Sequence, residues 1–343
     1  MDRVHSKRNS PELTRPRVLA TDIAWPSADV ERAVLAEAGA TLVVAPTGDS
    51  AELAALAADA DAILTCFAKV PAEVLDAAPR CRTVARYGVG VDNIDVEHAT
   101  RLGMVVSNVP TYCTDEVADS ALLGILALAR RLVPFTRDVA AGGWGRSVPG
   151  TSVRLRGRVL GLVGLGAIGR ALVPRARAIG LDVVAFTRSG GVDPGIRRAA
   201  SLEELLREAD VVSLHVPLTD GTRHLIGPRQ LAAMKPTAWL VNTARGGLVD
   251  TDALLAALDA GVIAGAALDV TDPEPLPADH PLRGRADVVL TPHVAFSSDG
   301  SLAELARKAA GNVVDVLQGR IPRTVVNPDV LTSAALRSPL AAR

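Results

Sequence analysis

Three glycines at a fixed spacing carry the strongest chemical signal in the sequence. Gly164, Gly166 and Gly169 follow the apolar run Val159–Val163 and open a helical pattern that starts at Ala167. In a strand–turn–helix of this kind, the first glycine permits a sharp turn and the second admits a pyrophosphate to the backbone. The third lets the helix pack closely on the strand, and the helix N-terminus faces the phosphates. The pattern predicts that the chain binds a nicotinamide dinucleotide.

An arginine after another apolar run is suited to hold an anion. Arg245 lies in the segment Asn-Thr-Ala-Arg-Gly-Gly, residues 242–247. Ligands of parallel sheets bind at the carboxyl ends of the strands, and the planar guanidinium can hold both oxygens of a carboxylate. The alternative interpretation is a surface arginine in an ion pair.

A histidine and two acids follow the last two apolar runs. His293 ends the segment Leu-Thr-Pro-His, and Asp269 and Glu274 follow the preceding run. Reduction of a ketone needs a proton donor at the carbonyl oxygen, and histidine titrates near neutral pH. Glu274 is the candidate carboxylate that contacts the His293 ring. Taken alone, the histidine could be structural and the acids could be mere caps.

The signals of other protein classes are missing from the sequence. No serine stands in a Gly-x-Ser-x-Gly turn, no Gly-Lys-Ser/Thr phosphate loop occurs, and no His, Cys and Asp spacing predicts a metal site. The net charge of −1 gives no field that would attract nucleic acid or an anionic membrane. Although 48% of the residues are hydrophobic, no apolar run reaches the roughly 20 residues of a membrane-spanning helix.

The cysteines and the first residues bear on location. Cys66, Cys81 and Cys113 are an odd number, which favours reduced thiols and a cytoplasmic protein. Residues 1–16 are polar, so we expect a disordered N-terminus there rather than a signal peptide or an anchor.

Alternating strand and helix patterns must position the candidate groups. One series runs over residues 17–107 and a second over residues 159–290, with one long helix predicted over 115–133 between them. This alternation predicts an α/β fold with two doubly wound parallel sheets, and the crevice between the two domains is the expected ligand site. We expect a Rossmann coenzyme domain inserted into a flavodoxin-like substrate domain. The predicted boundaries are residues 17–110 and 297–330 for the substrate domain, 111–296 for the dinucleotide-binding domain and 331–343 for a tail.

Six stretches in this order resemble the D-isomer-specific 2-hydroxyacid dehydrogenase family. Besides the glycine fingerprint, they are residues 86–95, 215–219, 242–250, 265–275 and 291–293. The similarity extends over roughly residues 18–328. The resemblance implies that Arg245 holds and polarises a 2-keto acid, that His293 is the general acid/base and that Glu274 tunes His293. It also implies that the backbone of Val89 and Gly90 grips the substrate carboxylate.

The resemblance further implies a coenzyme site and a homodimer. Asp269 would hold the nicotinamide carboxamide, and the helix that starts near Asp115 would help to build the dimer. The full set of residues expected along the coenzyme is Gly164, Gly166, Ala167, Ile168, Gly169, Thr187, Arg188, Ser189, His215, Val216, Pro217, Thr243, Ala244, Arg245, Asp269 and His293.

The sequence departs from the usual NAD pattern at one place. An acid that binds the adenosine 2′-hydroxyl is expected about 20 residues after the fingerprint, but Thr187 and Arg188 stand there. Because no acid stands there, a 2′-phosphate would not be repelled, and the Arg188 guanidinium can pair with that phosphate. The sequence therefore favours NADP over NAD. The alternative is that Arg188 stacks on adenine in an NAD enzyme.

A second feature concerns the substrate. Residues 108–119, together with Phe296, are similar to the subgroup of dehydrogenases related to the C-terminal-binding-protein corepressors. Phe296 would narrow the substrate cavity or contact an apolar tail, and the alternative is hinge packing. We therefore expect an NAD(P)-dependent oxidoreductase that interconverts a small D-2-hydroxy acid and its 2-keto acid, such as glyoxylate or hydroxypyruvate. The alternative function is a dinucleotide-sensing, corepressor-like scaffold with incidental dehydrogenase activity.

Overall fold

The computed structural model describes residues 15–145, 148–188 and 191–342. The chain divides into two compact units. The first unit contains the residues up to Tyr112 and those from Leu302 onward, and the second unit is Cys113–Ser301. Across these described ranges, no helix is both long and apolar enough to cross a membrane.

The N-terminal part of the first unit forms a five-stranded sheet. All pairings are parallel, in the order β2-β1-β3-β4-β5, which is the flavodoxin order. The strands are short, and β3, β4 and β5 are buried at every position, as the central strands of a parallel sheet require, whereas the edge strand β2 is only partly buried. The elements are β1 Arg17–Ala20, α1 Asp29–Ala36, β2 Thr41–Val44, α2 Ser50–Ala57, β3 Ala62–Thr65, α3 Ala72–Asp76, β4 Thr83–Arg86, α4 Val96–Arg101 and β5 Val105–Ser107.

The second unit forms a seven-stranded parallel sheet. Its order is β12-β11-β10-β9-β6-β7-β8, which is the Rossmann order with one strand added. The elements are α5 Thr114–Ala129, α6 Leu132–Ala140, β6 Val159–Val163, α7 Ala167–Ala178, β7 Asp182–Phe186, β8 Arg197–Arg198, α8 Leu202–Glu208, β9 Val211–Leu214, α9 Pro228–Ala233, β10 Trp239–Asn242, α10 Thr251–Asp259, β11 Gly265–Leu268 and β12 Val288–Leu290. The predicted α/β class with two parallel sheets is confirmed.

The single long helix predicted over residues 115–133 is wrong. Helix α5 ends at Ala129, and Arg131 adopts a left-handed conformation with φ of 55° before α6 begins. The apolar spacing continues through the break, so the sequence pattern gave no sign of it. Helix α5 lies close on the sheet, because a side-chain carbon at Gly124 would stand 2.8 Å from the β-carbon of Ala267 in β11.

The last helix, α11 (Asp299–Leu317), leads back into the first unit. Asn327 then donates to the Met104 carbonyl and accepts from the Val106 amide beside β5. Arg337, in the segment predicted as a tail, donates to the backbone carbonyls of Ala78 and Leu102 at 2.6 and 2.7 Å. The C-terminal segment therefore packs within the first unit, of which it is a part.

Candidate active site

The glycine fingerprint forms the turn between β6 and α7. Gly164 has φ of +96°, and a side-chain carbon there would lie 2.5 Å from the carbonyl oxygen of His215. A side-chain carbon at Gly169 would lie 2.7 Å from the carbonyl oxygen of Gly164, so the helix approaches the strand closely. At Gly166 a side-chain carbon would meet nothing within 4 Å in the described part of the chain, which leaves the backbone open to a ligand. Within the same part, no side chain caps the start of α7 at Gly166, and this cradle fits a pyrophosphate.

Other residues expected along the coenzyme lie at the same edge of the second sheet. Thr187 and Arg188 follow β7, where the Thr187 hydroxyl donates to the Gly191 carbonyl at 3.1 Å and Arg188 is exposed. Ser189 lies outside the described residues. Desolvation of its partly buried imidazole lowers the pKa of His215 to about 4. The remaining expected residues of this edge, Val216 and Pro217, follow β9, and Ala167 and Ile168 begin α7.

A buried hydroxyl at this edge also fits a bound coenzyme. Thr243 follows β10, and among the described residues its buried Oγ1 has no hydrogen-bond partner. A buried hydroxyl without a hydrogen bond lowers the stability of the fold, and such groups nearly always have a partner. A polar group of the coenzyme would supply one.

The turn that carries Arg245 is held by a buried asparagine. Asn242 ends β10, accepts from the Ala244 amide at 3.1 Å and donates to the Arg245 carbonyl at 2.8 Å. The Arg245 guanidinium also donates to the Ala244 carbonyl at 2.8 Å. Sequence reasoning missed the role of Asn242, although an asparagine that closes a turn after a strand is a recognisable signal.

The histidine and its acid are in direct contact. Nδ1 of His293 lies 2.5 Å from Oε1 of Glu274, and their side chains are 18% and 37% exposed. Nδ1 therefore acts as the donor to the carboxylate, which leaves proton transfer to substrate to the other ring nitrogen, Nε2. Phe296 packs its ring edge-to-face against His293, with centroids 6.1 Å apart.

The topology brings these groups to one edge of the second sheet. Arg245 follows β10, Asp269 and Glu274 follow β11, and His293 follows β12, and these three strands are neighbours in register. A side-chain carbon at Gly246 would overlap the Thr271 carbonyl, so the arginine turn packs against the loop that leads to Glu274. A guanidinium, a carboxylate and an imidazole thus gather where ligands of parallel sheets bind.

The turn that is predicted to bind the substrate carboxylate lies in the first unit. Val89 and Gly90 follow β4, and Val89 is 40% exposed. Asn108 donates to the Val89 carbonyl at 2.7 Å, and the Val109 amide donates to the Gly88 carbonyl at 2.9 Å. The turn is thereby fixed within its own unit.

A Rossmann sheet with these side chains at its carboxyl edge defines a nicotinamide-dependent dehydrogenase. Residues 122–295 match the model of the D-isomer specific 2-hydroxyacid dehydrogenase, NAD binding domain. A glyoxylate reductase of Aeropyrum pernix is 44% identical over 285 residues, which cover 80% of this chain and 85% of that protein.

Two solved structures are similar to this chain over most of its length. A protein of Thermus thermophilus is 41% identical with a TM-score of 0.83, covering 90% of this chain and 99% of that one. An NADPH-dependent glyoxylate/hydroxypyruvate reductase of Sinorhizobium meliloti, solved with NADP and malonate, is 32% identical with a TM-score of 0.84. That match covers 96% of this chain and 100% of the other.

The chain belongs to the D-isomer specific 2-hydroxyacid dehydrogenase family. It is an NAD(P)-dependent oxidoreductase that interconverts 2-hydroxy acids and 2-keto acids. The scaffold with incidental activity is not favoured. The similarity to the corepressor-related subgroup stays a prediction.

Proposed function

We propose that the enzyme reduces a small 2-keto acid, glyoxylate or hydroxypyruvate, to the D-2-hydroxy acid, with His293 as the proton donor. The observation that carries this proposal is the 2.5 Å contact between Nδ1 of His293 and Glu274, at the edge of the sheet that also bears Arg245. The similarity to glyoxylate reductases supports the choice of substrate.

Arg245, His293 and Glu274 have different proposed roles in carbonyl reduction. Arg245 binds the substrate carboxylate and polarises the keto oxygen, because its guanidinium matches two adjacent oxygens. Nε2 of His293 gives its proton to the keto oxygen, while Glu274 stabilises the charged ring and fixes its orientation. When bound, the reduced coenzyme supplies the hydride that the keto carbon accepts, so the product is the 2-hydroxy acid.

Backbone groups and further side chains complete the proposed contacts of the substrate and the coenzyme. We propose that the first unit, predicted as residues 17–110 and 297–330, binds the carboxylate through the backbone of Val89 and Gly90. Asp269, Thr243, Ala244 and the glycine turn would hold the coenzyme in the second unit. Phe296 would limit the size of the substrate, since its ring lies against His293.

The preferred coenzyme is proposed to be NADPH. Arg188 is exposed at the end of β7, where it can pair with a 2′-phosphate. The sequence has no acid at residues 187–190 that would repel the phosphate. A hydrogen bond to a charged group contributes about 1.5–3 kcal/mol, so a preference of roughly 10- to 100-fold is expected.

We also propose a cytoplasmic homodimer. Helices α5 and α6 expose apolar side chains: Leu123 of α5 is 59% exposed, and Leu132 and Val139 of α6 are 49% and 51% exposed. A second copy of the chain would cover them.

The proposed cytoplasmic location is supported by two cysteines. Cys66 and Cys81 are buried, and burial raises the pKa of each thiol to about 12, so both are inert thiols that suit a reducing compartment.

A panel of 2-keto acids assayed with NADPH and with NADH tests the proposal, read as the loss of absorbance of the reduced coenzyme. We expect glyoxylate or hydroxypyruvate to give the highest kcat/KM, with NADPH preferred. Arg188→Ala should remove most of the preference, and Arg207→Ala, an arginine of α8, should leave it unchanged. Turnover of neither keto acid would contradict the substrate, and an NADH preference would contradict the coenzyme.

A further inference from the structure

One buried carboxylate gathers the loop that carries His293. Asp269 is 5% exposed at the end of β11. Its Oδ1 accepts from the Thr291 hydroxyl at 2.6 Å and from the Val294 amide at 2.9 Å, and its Oδ2 accepts from the Ala295 amide at 2.9 Å. Its backbone carbonyl accepts from the His293 amide at 2.7 Å. Three successive amides therefore converge on a single residue.

The hydrogen bonds to Asp269 hold the backbone of His293 in an unusual conformation. The histidine holds φ of +55°, in the left-handed region that non-glycine residues enter only when the surroundings compensate for the strain. Successive amides around such a residue form a concave site for an anion. The carboxylate of Asp269 fills this site, so it maintains the backbone from which the imidazole ring projects.

The loop has two separate anchors. Glu274 fixes the ring of His293 through Nδ1, whereas Asp269 fixes its backbone. Thr291 orients the Asp269 carboxylate from the start of the loop. A rigid loop matters because proton donation requires a heavy-atom separation of about 2.6–3.2 Å between the ring and the substrate oxygen.

We propose that Asp269 and Thr291 are positioning residues for proton transfer. They form a clamp that holds the His293 backbone, in addition to the coenzyme contact expected for Asp269. Thr291 has no expected contact with the coenzyme, so its substitution separates the two roles. The inference rests on the proposed function, in which His293 is the proton donor.

Variants of the whole enzyme test the clamp, with the best keto acid of the panel as substrate. Thr291→Val removes one hydroxyl, and we expect kcat to fall about 10-fold while the Kd of NADPH, measured by fluorescence titration, stays within about twofold. The solvent deuterium isotope effect on kcat should increase, because proton transfer becomes slower. Asp269→Asn should lower kcat further, because its amide group would face an N–H donor.

Two matched variants make the result decisive. Thr291→Ser keeps the hydroxyl and should restore kcat to within about twofold of wild type. Ser120→Ala removes another hydroxyl that contacts the loop, at the Ala295 carbonyl and 3.2 Å away, and should leave kcat nearly unchanged. The clamp is refuted if Thr291→Val leaves kcat unchanged, if Thr291→Ser loses as much as Thr291→Val, or if weaker NADPH binding explains the whole loss.

The failure of the proposed function gives a different result. Full turnover by His293→Ala would show that His293 is not the proton donor, whatever Thr291→Val does. Loss of kcat in His293→Ala with no loss in Thr291→Val would refute the clamp alone.

Discussion

The His293 loop, residues 291–296, and helix α6 are held in opposite ways within the second unit. In the loop, three amides, a hydroxyl and a ring nitrogen are bonded to Asp269 or Glu274. In α6, all nine residues are described and none is buried, and Trp144 just beyond it is 88% exposed. The loop is fixed from inside its own unit, whereas α6 presents apolar surface that its own unit does not cover. The contrast is consistent with the proposals that the loop serves proton transfer and that α6 serves association.

The largest effect is expected where a charge at the sheet edge is removed. Arg245→Gln deletes a guanidinium that would make two charged hydrogen bonds to substrate, so kcat/KM should fall on the order of 10³-fold. Steady-state kinetics with the best keto acid measures the loss. Arg229→Gln, at an exposed position of α9, is the matched control and should stay within about twofold. If the two variants lower kcat/KM equally, the proposed role of Arg245 in binding the substrate is contradicted.

A smaller effect is expected from acid. Burial lowers the pKa of His215 from 6.5 to about 4, so the unfolded chain takes up this proton at a higher pH than the folded chain. The free energy of unfolding should therefore fall as the pH drops from about 6.5 to about 4, by up to about 3 kcal/mol. Urea unfolding across this range measures it. In His215→Gln this part of the pH dependence should be absent, and identical slopes in the two proteins would contradict the assignment.

The smallest energetic change is expected in α6, although the assembly should change. Val139→Lys places a charge on the exposed apolar face and should convert a dimer to a single chain in sedimentation experiments. It should alter the stability of the monomer by less than about 0.5 kcal/mol, because the site is exposed. Ala55→Lys, on an exposed face of α2, should leave the dimer intact. A wild-type protein that sediments as a monomer would contradict the role of α6.

Local patterns predicted most of the fold. Apolar runs such as Val159–Val163 are strands in the structure, because strands buried on both faces need such runs. The two-residue strand β8 consists of exposed arginines and carries no such signal. The break at Arg131 was missed because the apolar spacing of α5 continues into Leu132, and only a left-handed backbone angle separates the helices.

The candidate site was predictable in its residue types but not in its contacts. Arg245, Glu274 and His293 could be selected from sequence because the expected chemistry needs those side chains. The clamp could not, because Asp269 and Thr291 lie 22 positions apart and meet only when β11 and β12 are neighbours. Asn242 is different, because its contacts are local and an asparagine after a strand is a recognisable turn signal.

The central claim is that His293 donates the proton to a 2-keto acid whose reduction NAD(P)H drives. Its most direct test is the single-turnover rate of His293→Ala with saturating NADPH and the best keto acid, beside the Kd of NADPH for the same variant. We predict a rate about 10²- to 10⁴-fold below wild type, with coenzyme binding nearly unchanged. A rate equal to that of the wild-type enzyme would contradict the account.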